Sequence, residues 1–467
     1  MTGMRNLIAL LFLTLAAAPV AGQDRLAEAD AFVKAEMARQ KIPGVAVAIV
    51  RNGQPVKMEG YGFANVEHDV PVTPDTIFQS GSVGKQFTAA AVMLQVEDGK
   101  LALEDPLTKF FPDAPKPWQH LTVRHLLTHT SGLPDYTAGT IDYRRDYTED
   151  DLRTFAYGLK LEFEPGARWN YSNTGYVLLG IIVHKVSGQF YGDVLRDRVF
   201  APLGMKTARV IDEAAIVKHR AAGYEMEDGV LRNQEWVAPK LNTTADGSLY
   251  LSLRDMVAWD AGLRARRVLS AESWKAALSP VRLNSGKTYP YGFGWDVADY
   301  AGRRAERHGG SWQGFMTYIA RYPDDGLTII VLANAAHADP GHISNGIAAI
   351  LDPSMVVPEP APIADADASA QARIRQLLAS AAAGKLSPAE FAYVRAGFFP
   401  GRALRYRELL GPLGPVTSLT LLSRREVGDD TILVYDAAYA SGVMRVRAAI
   451  APDGKLAGLD ISPRPAR

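Results

Sequence analysis

Cysteine is absent from all 467 residues of the chain. No disulfide, thiolate zinc site, thiol nucleophile or cysteine-linked lipid can form. Covalent catalysis, if there is any, must use Ser, Thr, Lys, Asp, Glu, His or Tyr. An excess of charge is absent too, since 51 Lys and Arg balance 51 Asp and Glu. A nucleic-acid partner is therefore not expected, because such binders usually carry a basic face. Long hydrophobic runs are also missing. The apolar stretch at residues 7–18 is broken only by Thr14. It falls short of the roughly 20 residues needed to cross a bilayer.

What remains is the composition of an ordinary globular protein, 47% hydrophobic and 22% charged, which argues against global disorder. The length is ample for a large core and is a soft prior for about three domains. Arg5, the apolar run and the small residues Pro19-Val20-Ala21-Gly22 read together as a signal peptide over residues 1–22, cut near Gly22. The expected location is periplasmic or secreted, with no stable membrane anchor after cleavage. An uncleaved anchor is the alternative.

The mature chain opens with an amphipathic helix over residues 26–40, carried by Leu26, Ala29, Val33 and Met37. A buried strand over 45–50, a turn at Arg51-Asn52-Gly53 and a strand over 56–61 make a hairpin. A largely apolar helix follows over 82–97. Helices are expected over 172–186 and 253–263, strands over 291–297, 315–322 and 327–333, and a helix over 345–351. Strands at both ends with helices between them predict one antiparallel sheet whose halves are distant in sequence, in an α+β arrangement. A Pro- and Ala-Asp-rich linker spans 353–369. Beyond it, residues 370–467 read as a small α+β accessory unit. Its helices are expected over 370–383 and 387–396, and its four strands over 418–425, 431–438, 443–450 and 456–461.

Three short motifs carry chemistry. Ser82-Val83-Gly84-Lys85 puts a hydroxyl and an amine on one face at a helix start. The helix dipole favours an oxyanion there, and burial of Lys85 would let neutral lysine take the serine proton. Tyr171-Ser172-Asn173 offers a second proton-transfer group, Tyr171, and an amide, Asn173, able to hold a substrate carbonyl. His308-Gly309-Gly310-Ser311 reads as a glycine-rich turn before a strand, where a substrate backbone can approach. The Ser311 amide could join that of Ser82 in an oxyanion hole. Each motif alone also fits a helix cap, a core tyrosine or a plain turn.

Their order changes this. Gly81-Ser82-Val83-Gly84-Lys85-Gln86-Phe87-Thr88-Ala89 resembles the nucleophile helix of the serine β-lactamase-related superfamily, which includes class C β-lactamases, DD-peptidases, D-aminopeptidases and family VIII esterases. Leu126-Leu127-Thr128-His129-Thr130-Ser131-Gly132-Leu133-Pro134, Pro202-Leu203-Gly204-Met205 and Tyr291-Gly292-Phe293-Gly294-Trp295 are similar to other stretches of that group. The resemblance runs from about residue 28 to 350. It implies a β-lactamase/transpeptidase-like fold over residues 23–352 and a serine hydrolase acting through an acyl-enzyme on an ester or amide. Ser82 is the implied nucleophile, activated by Lys85 and Tyr171, with Asn173, His308 and Gly310 binding substrate. No cofactor or metal is implied, and the partner is a small-molecule or peptide substrate. His308 stands where many relatives carry lysine, which weakens the case for a clamp on a β-lactam carboxylate. Substrate choice is expected in the loops over 135–160 and 210–245.

Competing readings fail on particular residues. No Gly-x-Ser-x-Gly elbow exists for an α/β-hydrolase. His125 and His129 lack the glutamate of a zinc-protease helix, and Ser285-Gly286-Lys287-Thr288 lacks the upstream glycine of a phosphate loop. The main alternative is a non-catalytic binder of peptidoglycan or peptides on the same scaffold. Neither the oligomeric state nor the role of the C-terminal unit is legible.

Overall fold

A computed structural model describes residues 18–138, 141–365 and 367–464. Residues 1–17 of the expected signal peptide lie outside the described residues, and 18–22 fall in the first helix. The first helix is Ala18–Gln40. No helix among the described residues is long and apolar enough to cross a membrane.

The central sheet has six antiparallel strands. In spatial order they are Glu306–Trp312, Phe315–Tyr322, Leu327–Ala333, Gly44–Arg51, Gln54–Asn65 and the short Val70–Pro71. The N-terminal hairpin thus joins strands nearly 300 residues away, with Val47 opposite Val331. Gly44–Arg51 is buried on both faces, which is why it reads as a continuous apolar run. Alternation sorts its side chains. Val45, Val47 and Ile49 pack with Ala29, Val33, Ile343 and Ile347 of the two terminal helices. Ala46 and Ala48 face the helical body, which contains Phe87, Trp118, Trp259 and Trp295. At the centre of that body runs Lys85–Glu97, buried at every position through Gln95.

Three local expectations differ from the structure. Residues 308–311 are not a turn. They lie within the edge strand Glu306–Trp312, and the chain reverses one step later, at Gln313-Gly314. Residues 291–297 form no continuous strand: the backbone folds on itself, with Gly292 N–H donating to the Trp295 carbonyl and Phe293 N–H to that of Ala277. Only Pro388–Glu390 of the expected 387–396 helix is helical, with Ser387 and Glu390 capping each other. The helix stops there, with Phe391 paired to Leu456, tilted against Phe398 and edge-on to Phe399. The helix comes later, at Ala403–Leu410.

Residues 368–463 build a four-stranded antiparallel meander, Ser418–Val427 through Leu456–Pro463, over the helix Ala368–Ala382. These elements share their own core around Leu377, Tyr435 and Val446. The preceding segment runs along this sheet, with Ile363 N–H bonded to the Leu421 carbonyl and Tyr435 Oη to Asp365. Arg168 and Asp430 form an ion pair at 2.8 Å between the two parts, and Ala396 N–H donates to Glu162.

Candidate active site

Ser82 sits in a tight 3₁₀ turn, Gly81–Gly84, that runs directly into the Lys85 helix. Residues three apart are eclipsed in such a turn, so Ser82 and Lys85 share a face. Lys85 Nζ donates to Ser82 Oγ at 3.2 Å and to Asn173 Oδ1 at 2.6 Å, and also bonds the Asp246 carbonyl. Lys85 has no solvent exposure. Burial disfavours its charge and lowers its pKa to about 8, against the opposing pull of Asp246 and Asp135.

Tyr171 ends the loop before the helix Asn173–Ser187, whose N-cap is Ser172. Lys85 Nζ lies 5.0 Å from the centre of the Tyr171 ring. The Tyr171 hydroxyl is buried and makes no strict hydrogen bond among the described residues. Burial holds its pKa well above the ordinary phenol value, and a weaker approach to Ser82 offsets only part of that. A phenol so placed stays protonated at neutral pH and is suited to giving a proton.

Asn173 is oriented on both sides. Its oxygen accepts from Lys85, while its Nδ2 donates to Asp135 at 3.0 Å. The motif alone assigns Asn173 to the substrate; here both ends of its amide are bonded within the protein. Asp135 is largely buried, and desolvation raises its pKa.

The edge strand closes the other side of the cleft. A Cβ on Gly310 would stand 2.0 Å from the Ser80 carbonyl and 3.1 Å from Ser82 N. One on Gly81, at φ +50°, would stand 2.5 Å from Ser311 N. Glycine at both places lets the strand lie against the nucleophile turn, with Gly310 beside Ser82 N and Gly81 beside Ser311 N. The cleft in front has a volume of about 490 Å³, and its wall includes Ser82, Tyr171, Asn173 and Ser311. A larger surface hollow of about 1130 Å³ around Ile211 and Trp236 contains none of these groups.

His308 is buried beside Tyr171, with ring centres 6.3 Å apart, and is not part of the cleft wall. Burial first, and Lys85 second, lower its pKa to about 4, so it is neutral at physiological pH. Its Nε2 meets Tyr291 Oη at 2.8 Å. Glu225 and Asp246 also line the cleft, but the Asp246 carboxylate is buried, with Oδ2 accepting from Tyr136 Oη at 2.9 Å.

The fold gathers Ser82, Lys85, Tyr171, Asn173, His308, Gly310 and Ser311, all expected at the site from their motifs, around this cleft or directly behind it. Asp135, Asp246, His129 and Tyr291 join them without having been expected there. Asp135 and Asp246 belong to loops without a pattern. His129 and Tyr291 lie inside stretches that carry the family resemblance, and those stretches are the available signal.

Comparison with known proteins agrees with this geometry. The chain is 34% identical over 308 residues to penicillin-binding protein 4* of Bacillus subtilis (strain 168), covering 62% of this chain and 67% of that one. It is 29% identical over 342 residues to the D-aminopeptidase of Gluconobacter oxydans (strain 621H), covering 71% of this chain but only 62% of that protein. The solved structure of the octameric penicillin-binding protein homologue from Pyrococcus abyssi superposes with a TM-score of 0.63 at 24% identity. That match covers 94% of this chain and 98% of that one and speaks to the fold alone. The Beta-lactamase family pattern matches residues 29–352, and the chain belongs to that family of serine hydrolases.

Proposed function

We propose that this chain hydrolyses an ester or amide through an acyl-enzyme on Ser82, and that its natural acyl group lacks a carboxylate. One observation carries the reading: a fully buried amine, Lys85, bonded to Ser82 Oγ and poised near pKa 8. Neutral Lys85 takes the Ser82 proton as Oγ attacks the carbonyl carbon. Charge on the carbonyl oxygen is met by the Ser82 and Ser311 amides. The proton passes through the protonated Tyr171 to the leaving group. Water, activated by the same pair, attacks the ester carbonyl and frees Ser82.

The sign of the cleft supports the substrate class. Among the described residues no lysine or arginine lines the cleft, Lys85 is buried behind Ser82 and His308 is neutral, so a β-lactam or terminal carboxylate meets no cation on the wall, whereas Glu225 favours an amine. This suits an amide or ester of an amino acid with a free amino group, in line with the D-aminopeptidase relative. The same reading makes residues 23–352 the catalytic unit and 370–467 an accessory one, and exports the chain by the segment over 1–22.

Fluorophosphonate labelling of the wild type and of Ser82→Ala, beside hydrolysis of nitrocefin, p-nitrophenyl esters and D-amino-acid amides, tests both parts. Wild type should label and the variant should not. Labelling of both equally would remove Ser82 as nucleophile. Preference for nitrocefin over amine-bearing substrates would overturn the substrate class.

A further inference from the structure

Three side chains that the proposed reaction does not use lie in line behind the cleft. His129 Nδ1 accepts the backbone N–H of Ser172 at 3.1 Å. His129 Nε2 meets Tyr291 Oη at 3.2 Å, and Tyr291 Oη meets His308 Nε2 at 2.8 Å. His308 Nδ1 meets the Gly309 carbonyl at 2.6 Å. All three side chains are buried.

The two ends fix every proton between them. The Ser172 N–H can only donate, so neutral His129 carries its proton on Nε2 and gives it to Tyr291. The Gly309 carbonyl can only accept, so His308 carries its proton on Nδ1. Its Nε2 is then an acceptor, and the one proton left, that of Tyr291, points to it. Each donor meets an acceptor and no bond is left over.

What the chain joins is specific. Ser172 follows Tyr171 in sequence and caps the helix that carries Asn173. Gly309 precedes Gly310 and Ser311 in the edge strand. The His129 ring also packs 4.2 Å from that of Tyr171. His129 itself is held at φ +57°, a conformation that non-glycine residues adopt only under constraint from their surroundings.

We propose that Tyr291 is a positioning residue, the middle of a one-way hydrogen-bond relay through His129 and His308. The relay sets the Tyr171 loop and the oxyanion strand at a fixed separation. Its kinetic consequence rests on the hydrolase reading above; its proton arrangement does not. The relay touches no substrate. It acts by holding proton donor and oxyanion donors in register, where misplacement by about 1 Å can cost about 100-fold in rate.

The test uses the full chain with its nine histidines labelled with ¹⁵N. Long-range proton–nitrogen correlation spectra are assigned with His129→Gln and His308→Gln. The expected result is two opposite tautomers, Nε2–H at His129 and Nδ1–H at His308. In Tyr291→Phe the His308 Nε2 resonance should move to that of an unbonded acceptor. On the best substrate of the panel, kcat should drop at least tenfold while KM stays within threefold. Nε2–H at His308 in the wild type would overturn the relay, since that nitrogen could not accept from Tyr291. So would a Tyr291→Phe protein with kcat within twofold of wild type. The wild-type spectrum decides the matter even if the variant folds poorly. An inactive wild type would overturn the hydrolase reading and the positioning role with it, while the tautomers would still decide the relay.

Discussion

Lys85→Met separates the catalytic from the structural role of the buried amine. Met matches the lysine stem in length and needs no hydrogen bond. The wild-type side chain is held at a pKa of about 8 against an ordinary 10.5. At about 1.4 kcal/mol per unit, keeping Lys85 charged costs the fold about 3 kcal/mol at pH 7. The direction of the pH dependence follows. Below pH 8 both folded and unfolded chains hold the proton, and the whole cost is present. Between about 8 and 10.5 the unfolded chain still binds it and the folded chain does not, so wild-type stability rises with pH. Near pH 9.5 about 2 kcal/mol of the cost should be gone.

The variant never bears that cost, but it strands three acceptors: Ser82 Oγ, Asn173 Oδ1 and the Asp246 carbonyl. A buried unpaired polar group costs about 1–3 kcal/mol, and three of them together equal or exceed the saving, so the variant should be no more stable than the wild type at pH 7. Urea unfolding at pH 7 and 9.5 measures this, and subtracting variant from wild type cancels the other titrating groups. The difference should move by about 2 kcal/mol in favour of the wild type at the higher pH. Turnover should fall at least about 100-fold, the usual worth of a positioned general base. Wild-type kcat/KM should climb with pH and level off near 8. A flat stability difference between the two pH values would refute the lowered pKa. Turnover within tenfold of wild type would refute Lys85 as the base.

Two further substitutions probe the opposite walls of the cleft. Tyr171→Phe removes a hydroxyl without a strict partner, so thermal unfolding should shift by no more than about 2 °C, while kcat drops about 100-fold or more. A cooperative loss of stability in that variant would mean that the hydroxyl is bonded after all. Gly310→Ala drives a methyl group to 2.0 Å from a backbone oxygen. The edge strand must move away from the nucleophile turn. Calorimetry should show destabilisation of about 1–3 kcal/mol, and acylation should slow more than substrate binding weakens. An unchanged acylation rate would detach Ser311 from the oxyanion hole.

Local chemistry is legible in the chain because it rests on short-range spacing. Ser82 and Lys85 fall three residues apart at a helix start, so their pairing follows from local geometry alone, and Tyr171 and Asn173 bracket a helix cap. The buried strand Gly44–Arg51 announces itself through its unbroken apolar run. The absence of cysteine by itself narrows the nucleophile to oxygen and nitrogen groups.

Contacts between distant segments decide the rest. His308 to Ser311 carry the glycines of a turn, yet they form a strand because Phe315–Tyr322 pairs with them and Ser80 presses against Gly310. Residues 387–396 have helix-start signals, yet the helix stops after Glu390, where Phe391 pairs with Leu456 and packs against Phe398. Asp135 reaches Asn173 across 38 residues, and Asp246 reaches Lys85 across 161. The pKa of Lys85 and the neutrality of His308 depend on how completely the fold removes water from them, which no spacing encodes. The order of residues thus specifies the reactive groups and their local pairing. Their protonation and alignment come from tertiary packing, because desolvation and hydrogen-bond direction belong to the packed whole.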